Sequence, residues 1–351
     1  MITVALDVMG GDNCPDSNID GARLALLNSK EIFIKLCGPK AMIEEKLAVW
    51  KDVPEEARAR VGIIDAPEVI SLDEAPVAAI QKKKESTIVK GIMAVKTGEA
   101  DAFVSAGSSG AILAGGQLKL GRIKGAVRTP LAALIPTEKG VSLLLDCGAN
   151  VDARPEWLCQ FARMGSLYME HVCGIKEPVV KLVNIGLEDE KGNALIKATK
   201  PLIESLRGLN YQGYIESREI PHGGADVVVT DAFTGNAMLK LYEGTGSTLI
   251  HAVKGALMKD LRTKLGALLI MPALKSTLKR FDASEYGGAP LLGLKGLVVK
   301  CHGNAKAKEI STALKQCELF VSAGMGDRVS EALSADKAVM DAMLNAERTA
   351  E

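Results

Sequence analysis

"ADVVVTDAFTGN", residues 225–236, carries an unbroken apolar run straight into a carboxylate, a hydroxyl and an amide. Val227, Val228 and Val229 are β-branched and favour a pleated, buried setting. Asp231, Thr234, Gly235 and Asn236 have the chemistry of a turn and a helix start. A strand with no polar alternation is buried on both faces, as parallel strands between layers of helices are. The same grammar recurs along the chain. "ITVALDV" runs into "MGGDNCPDS", "DAFVSA" into "GSSG", and "SLLLDCGANVD" into the helical "ARPEWLCQFARMGSLYM"; "FIKLCG", "VGIIDA", "VVKLVNIG" and "GLVVKCHGN" complete the set. In the helical stretch Asp152 is a plausible N-cap, Pro155 suits the first turn, and Trp157, Phe161, Met164 and Tyr168 form one stripe. Short apolar strands alternating with helices predict a doubly wound α/β sandwich. Its ligands belong outside the carboxyl ends of the strands, where these loops gather.

The whole chain, 1–351, reads as a single α/β catalytic domain with one excursion. Over 245–285 the strands stop and "TGSTLIHAVKGALMKDLRTKLGALLIMPALKSTLKRF" shows helical periodicity, which predicts a projecting helical hairpin with "LGALLIMP" at its turn. Apolar residues make up 47% and charged residues 25%, as in ordinary globular chains. The 43 Lys+Arg balance the 43 Asp+Glu and aromatic content is 4%, so neither charge nor stacking platforms argue for a nucleic-acid partner. Seven cysteines with no C-x-x-C spacing suggest neither a disulfide framework nor a zinc site; Cys37 and Cys147 look like small core residues. The N-terminus has no basic region and meets Asp7 too early for a signal peptide, and no run reaches the length of a spanning helix. These features predict a cytoplasmic chain.

Three loops offer chemistry. "VSAGSSGA" (104–111) places Ser105, Gly107, Ser108, Ser109 and Gly110 between a strand and a helix, where small side chains and free amides suit either an anion or simply a tight turn. It closes neither a Walker A motif nor a dinucleotide fingerprint. "DVMGGDN" (7–13) brings Asp7, Gly10, Gly11 and Asp12, which is too few carboxylates for a typical Mg²⁺-phosphate site. "NIGLEDEKGN" (184–193) carries Lys191 among acids; it is either a surface lysine or one that reaches a phosphate or an oxyanion. His302, after a strand in "KCHGN", could act as acid or base, whereas His171, His222 and His251 have the setting of surface or helical residues. Together the loops suggest an anionic substrate held without metal or nucleotide cofactor.

With these segments in hand, the chain resembles the phosphate acyltransferases of bacterial phospholipid synthesis, the PlsX family. The matching stretches are "VALDVMGGDN" (4–13), "VSAG" with "GA" (104–107, 110–111), "GRIKG" (121–125), "LLLDCGANVDARPE" (143–156), "NIGLEDEKGN" (184–193), "ADVVVTDAFTGN" (225–236), "YGGAPLLGLKG" (286–296) and "HGN" (302–304). They follow the family's order over nearly the whole length. Ser108-Ser109 stands where the family usually has Asn-Thr, and Cys14 and Ala232 replace commoner small residues.

The resemblance implies a fold similar to isocitrate and isopropylmalate dehydrogenases and to phosphotransacetylases. It implies conversion of long-chain acyl-[acyl carrier protein] and inorganic phosphate into acyl phosphate, which feeds phospholipid synthesis through a glycerol-3-phosphate acyltransferase. It also implies a homodimer with peripheral contact to an anionic membrane surface, and no cofactor. Lys191 and Asn236 match the positions the family uses for catalysis. Around them Asp7, Gly10, Gly11, Asp12, Ser105, Gly107, Ser108, Ser109, Gly110, Asn150, Asp231, Thr234, Gly235 and His302 are expected to shape the substrate pocket.

Basic groups at Lys82, Lys83 and Lys84, with Arg122 and Lys124, are candidates for docking an acidic carrier protein near the pocket mouth. Leu261, Leu265, Leu268 and Leu269, beside Lys254, Lys259, Arg262, Lys264, Lys275, Lys279 and Arg280, give the hairpin the pattern of a basic amphipathic helix. Two rival readings remain: a phosphotransacetylase using a coenzyme A thioester, and a non-catalytic membrane-associated scaffold.

Overall fold

A computed structural model of the protein describes residues 1–279, 281 and 285–350. The apolar runs form strands between layers of helices, as expected of a doubly wound arrangement, and they assemble into two sheets. The first contains β1 (Ile2–Asp7), β2 (Ile32–Gly38), β3 (Val61–Asp65), β4 (Ala102–Ser105), β10 (Ala289–Leu291) and β11 (Leu297–Lys300), in the order β10-β11-β4-β1-β2-β3. The second contains β5 (Ala133–Thr137), β6 (Gly140–Leu145), β7 (Val180–Val183), β8 (Tyr211–Ile215) and β9 (Val227–Val229), in the order β5-β6-β9-β7-β8.

Every pairing is parallel except β10 with β11 and β5 with β6. Both exceptions are edge strands, and both contain a proline, Pro290 and Pro136. Proline cannot donate to a ladder, so it survives only where one side of the strand is unpaired. These edges and β8, whose Gly213 sits at φ +74° beside a register shift, lack the unbroken apolar signature, and the sequence analysis did not find them.

Strand alternation sorts the cores. Val227 and Val229 pack on one face of the second sheet with Phe161, Met164 and Tyr168, while Val228 packs on the other face with Ile135, Leu144 and Val183. The first sheet is likewise covered on both faces: Val4, Leu6 and Leu36 on one side, Ala5, Cys37 and Phe103 on the other. The helix Pro155–His171 buries the expected stripe, but its N-cap position is Arg154 rather than Asp152.

The sheets are stitched at a few points. Leu131 bridges Leu291, Ala132 N donates to Pro290 O (3.0 Å), and Leu292 N donates to Pro130 O (3.1 Å). Gln316, on the helix Ala307–Ser322 of the first sheet, donates to the Tyr168 hydroxyl at 2.6 Å.

The helical excursion begins earlier than expected. A 26-residue helix, Ala232–Leu257, starts at the end of β9, and after 258–260 a second helix, Leu261–Lys279, follows, with the Asp260 carboxylate accepting from Thr263 N (2.9 Å). "LGALLIMP" is therefore inside the second helix, and Pro272 with it, not at the turn. Arg280 and residues 282–284 of the expected hairpin lie outside the described residues.

The C-terminal helix, Met325–Ala350, is held to Pro155–His171 by a buried ion pair. Arg163 Nε and Nη2 donate to the two Asp336 oxygens at 2.7 and 2.9 Å, and Nη2 also donates to Arg207 O (2.8 Å). Removing one member strands a buried charge. Asp336→Ala should cost about 3–5 kcal/mol in urea denaturation; a loss near zero would show that solvent reaches Arg163.

Candidate functional site

Three neighbouring parallel strands of the first sheet, β11, β4 and β1, end in loops that interlock. Asp7, the last residue of β1, is buried; its Oδ2 accepts from Ser105 Oγ (2.7 Å) and its Oδ1 from Met9 N (3.0 Å). Burial pushes the Asp7 carboxyl up, and hydrogen bonds from Ser105 and Thr87 oppose the shift. Gly107 N donates to Ser105 Oγ (3.0 Å), and Asp12 N to Gly303 O (2.7 Å). Gly10 must be glycine, because a Cβ there would sit 2.6 Å from both Asp7 Oδ2 and Gly107 N. Gly11 adds a positive φ, +91°. Ser108 caps the short helix Ser109–Gly115 by accepting from Ala111 N, while Ser109 is exposed and Gly110 lies against Pro76. His302 is exposed and its Nδ1 is 2.8 Å from Asn304 Oδ1.

A second set of three adjacent strands, β6, β9 and β7, ends at the other sheet's carboxyl edge. Here the organising group is one that the sequence analysis did not single out. Asp146, fully buried, accepts five hydrogen bonds: Leu131 N (3.0 Å), Gly148 N (3.1 Å) and Ala149 N (3.0 Å) on Oδ1, and Asn150 N (2.8 Å) and Nδ2 (2.6 Å) on Oδ2. Burial pushes its carboxyl up, against the pull of those donors. Asn150, expected as a substrate contact, is buried and spends its side-chain amide N–H groups on Asp146 and on Thr129 O (3.0 Å), while its backbone carbonyl accepts from Ala232 N (3.0 Å). Asp231, also expected in the pocket, is the N-cap of the long helix, accepting from Thr234 N (2.9 Å) and Thr234 Oγ1 (2.8 Å).

Lys191 and Asn236 stand apart from these braced groups among the described residues. Asn236, half-buried in the second turn of that helix, makes no side-chain hydrogen bond among the described residues. Lys191 is exposed and its ammonium has no ion pair among them, although the loop around it is well braced. Asn184, buried at the end of β7, accepts from Ile185 N (2.9 Å) and donates to Lys191 O (3.4 Å); a side chain at Gly192, φ +98°, would meet Asn184 Oδ1 at 2.5 Å. Lys200 pairs with Asp189 and reduces the loop's negative charge. Because β7 and β9 pair in register, Leu182 with Val229, the loops bearing Lys191 and Asn236 leave adjacent strand ends, roughly 4.8 Å apart.

The basic candidates are scattered. Lys83 is engaged by Glu74 (2.8 Å) and Val69 O (2.8 Å), whereas Lys82 and Lys84 are exposed. Their segment runs into Thr87, beside Asp7 at the carboxyl end of the first sheet. Lys124, by contrast, lines a cavity of about 390 Å³ with Asp101, Leu297 and Met325, at the amino ends of β4 and β11. Arg122 bridges Leu294 nearby and donates to Val127 O (2.6 Å). This pair thus sits at the end of the sheet opposite the expected mouth. No group of three or more metal-binding side chains converges among the described residues.

Known proteins are similar to this chain over most of its length. A family profile described as "Fatty acid synthesis protein" matches residues 2–328. A phosphate acyltransferase of Alkaliphilus oremlandii is 46% identical over 331 residues, 94% of this chain and 97% of its own length. One of Clostridium beijerinckii is 44% identical over 318 residues, 90% of this chain and 94% of its own. Among solved structures, a phosphotransacetylase from Streptococcus pyogenes superposes with a TM-score of 0.57 at 17% identity, covering 91% of this chain and 94% of that one. A branched-chain phosphotransacylase from Enterococcus faecalis does so with 0.51 at 12%, covering 92% and 100%.

Gly235 tests the geometry of the second edge. A Cβ there would fall 2.0 Å from Asp146 O, backbone that cannot step aside. Gly235→Ala should destabilise the protein by roughly 1–3 kcal/mol and displace the start of the helix. Gly244→Ala, open within 4 Å in the same helix, should instead stabilise by about 0.5–1 kcal/mol. Equal effects in thermal denaturation would refute the packing argument.

Proposed function

Since the chain belongs to the phosphate acyltransferase family and is an acyltransferase of that class, we propose that it moves a long-chain acyl group from acyl carrier protein to inorganic phosphate. The product, an acyl phosphate, would feed phospholipid synthesis. The observation that supports this reading most is that Lys191 and Asn236, whose side chains have no hydrogen-bond or ion-pair partner among the described residues, lie on loops that leave adjacent strand ends.

The chemistry asks little of acid–base groups. A phosphate oxygen attacks the thioester carbonyl, the tetrahedral intermediate collapses, the C–S bond breaks and a thiolate leaves. Phosphate is already anionic near neutral pH, and a thiol of pKa roughly 8.5 leaves readily. The enzyme has to position two reactants and stabilise an oxyanion. Lys191 supplies charge compensation toward phosphate, and the Asn236 amide donates to the carbonyl oxygen as charge develops there. Asp231, Thr234, Asn150 and Asp146 hold Asn236 in place rather than touch substrate. An acidic carrier would dock at Lys82 and Lys84.

Replacing Lys191 or Asn236 by Ala should lower acyl phosphate formation by on the order of a hundredfold with circular dichroism unchanged, as for loss of an oxyanion donor. The assay should compare acyl-carrier protein with acyl-coenzyme A as donor. Near-normal rates in both variants would remove them from the chemistry, and turnover with acyl-coenzyme A alone would change the donor.

The helices Ala232–Leu257 and Leu261–Lys279 are the proposed membrane and dimer element. No helix among the described residues is long and apolar enough to cross a membrane. Leu261, Leu265, Leu268 and Leu269 are nonetheless 75%, 60%, 74% and 82% exposed in the single chain, beside Lys259, Arg262 and Lys264. Each basic group near an anionic surface contributes on the order of 1 kcal/mol, and each inserted leucine about 1.5–3 kcal/mol. Wild type should sediment with anionic vesicles and Leu268→Glu/Leu269→Glu should not; equal sedimentation would leave these leucines to a partner subunit.

A further inference from the structure

Lys300, which the sequence analysis passed over, ends β11 after the apolar Leu297, Val298 and Val299. Its side chain is half-buried, and its ammonium donates to Ala106 O (3.5 Å) and to Cys301 O. No carboxylate of a described residue pairs with it. An ammonium has three donors, so one N–H is left open at the point where the β4 and β11 loops meet. Burying a cation without a counter-anion is costly, and burial lowers the Lys300 pKa accordingly. The nearby acids do not supply the missing partner. Both Asp7 oxygens accept other donors, Asp12 is exposed to solvent, and Glu309 accepts from His302 N (3.2 Å). The surrounding loops are tied together, since Cys301 N donates to Ser105 O (2.9 Å) and Asp12 N to Gly303 O (2.7 Å). The cation is therefore held among glycines.

We propose that Lys300 binds a phosphate-type anion at the carboxyl end of the first sheet, either the inorganic phosphate reactant or the phosphodiester of the thioester donor. This rests on the acyl-transfer reading above and adds a second cation, on the other sheet from Lys191.

The test compares Lys300→Met, which keeps the aliphatic stem, with Lys300→Arg, which keeps the charge. Loss of a charged contact should raise one KM by roughly tenfold to a hundredfold in the Met variant, with partial recovery in the Arg variant. A rise in KM for inorganic phosphate identifies that anion, and a rise for the thioester donor identifies the phosphodiester. Both KM values unchanged, or a fall confined to kcat, overturns the proposal and leaves Lys300 as a strut between loops.

A second measurement uses wild type alone. Competitive lysine acetylation read by mass spectrometry should show Lys300 protected by inorganic phosphate or by a non-hydrolysable thioether analogue of the donor. No protection by either overturns the proposal even if the Met variant fails to fold. If wild type forms no acyl phosphate at all, the acyl-transfer reading fails, while protection by phosphate still decides whether Lys300 holds an anion.

Discussion

The Asp146 carboxylate is the constraint on which the second sheet and its connection to the first depend. Its five donors come from the β6 loop itself and from Leu131, the residue that bridges to Leu291 of the first sheet. Through Asn150 it also reaches Ala232 N, the first residue of the long helix. A protonated Asp146 would turn one acceptor oxygen into a donor with nothing to receive it, so the donor set requires the ionised form even though burial opposes it. Without the carboxylate, several buried N–H groups would lose their acceptor, at about 1–3 kcal/mol each. The Asp146 carbonyl, in turn, occupies the space that makes residue 235 a glycine.

From that hub the distribution of satisfied and unsatisfied groups follows. Where a loop polar group is paired inside the protein, as in Asp7, Ser105, Asn150, Asp231 and Asn184, it shapes the edge. Where it has no partner among the described residues, as in Lys191, Asn236 and the third N–H of Lys300, it is the group proposed above to meet substrate. A protein whose reaction needs positioning and charge more than proton transfer can place its effort in such bracing.

Several expectations changed for identifiable reasons. The edge strands β5 and β10 went unseen because they carry prolines and read as loops. The turn of the helical excursion moved from 265–272 to 258–260, where the Asp260 carboxylate accepts from Thr263 N at the start of the second helix, and Pro272 lies inside that helix. Lys83 is engaged by Glu74 within the docking patch, and Arg122 with Lys124 moved to the amino end of the first sheet.

The sequence by itself determined the element grammar: β-branched runs that can only be buried strands, and glycine- and asparagine-bearing loops that must follow them. Its ordered motifs also carried the family, the resemblance from which the proposal for Lys191 and Asn236 comes. Tertiary structure alone decided which loop residues are engaged with one another. Asp146 and Asn184 look no different in sequence from the solvent-exposed Asp12 or from Asn236, and Lys300 reads as a polar residue closing a strand. The distinction lies in partners far away along the chain, Leu131 for Asp146 and Ala106 for Lys300. Burial and hydrogen-bond satisfaction are properties of the packed molecule, because a polar group's free energy is set by what surrounds it and not by its neighbours in sequence.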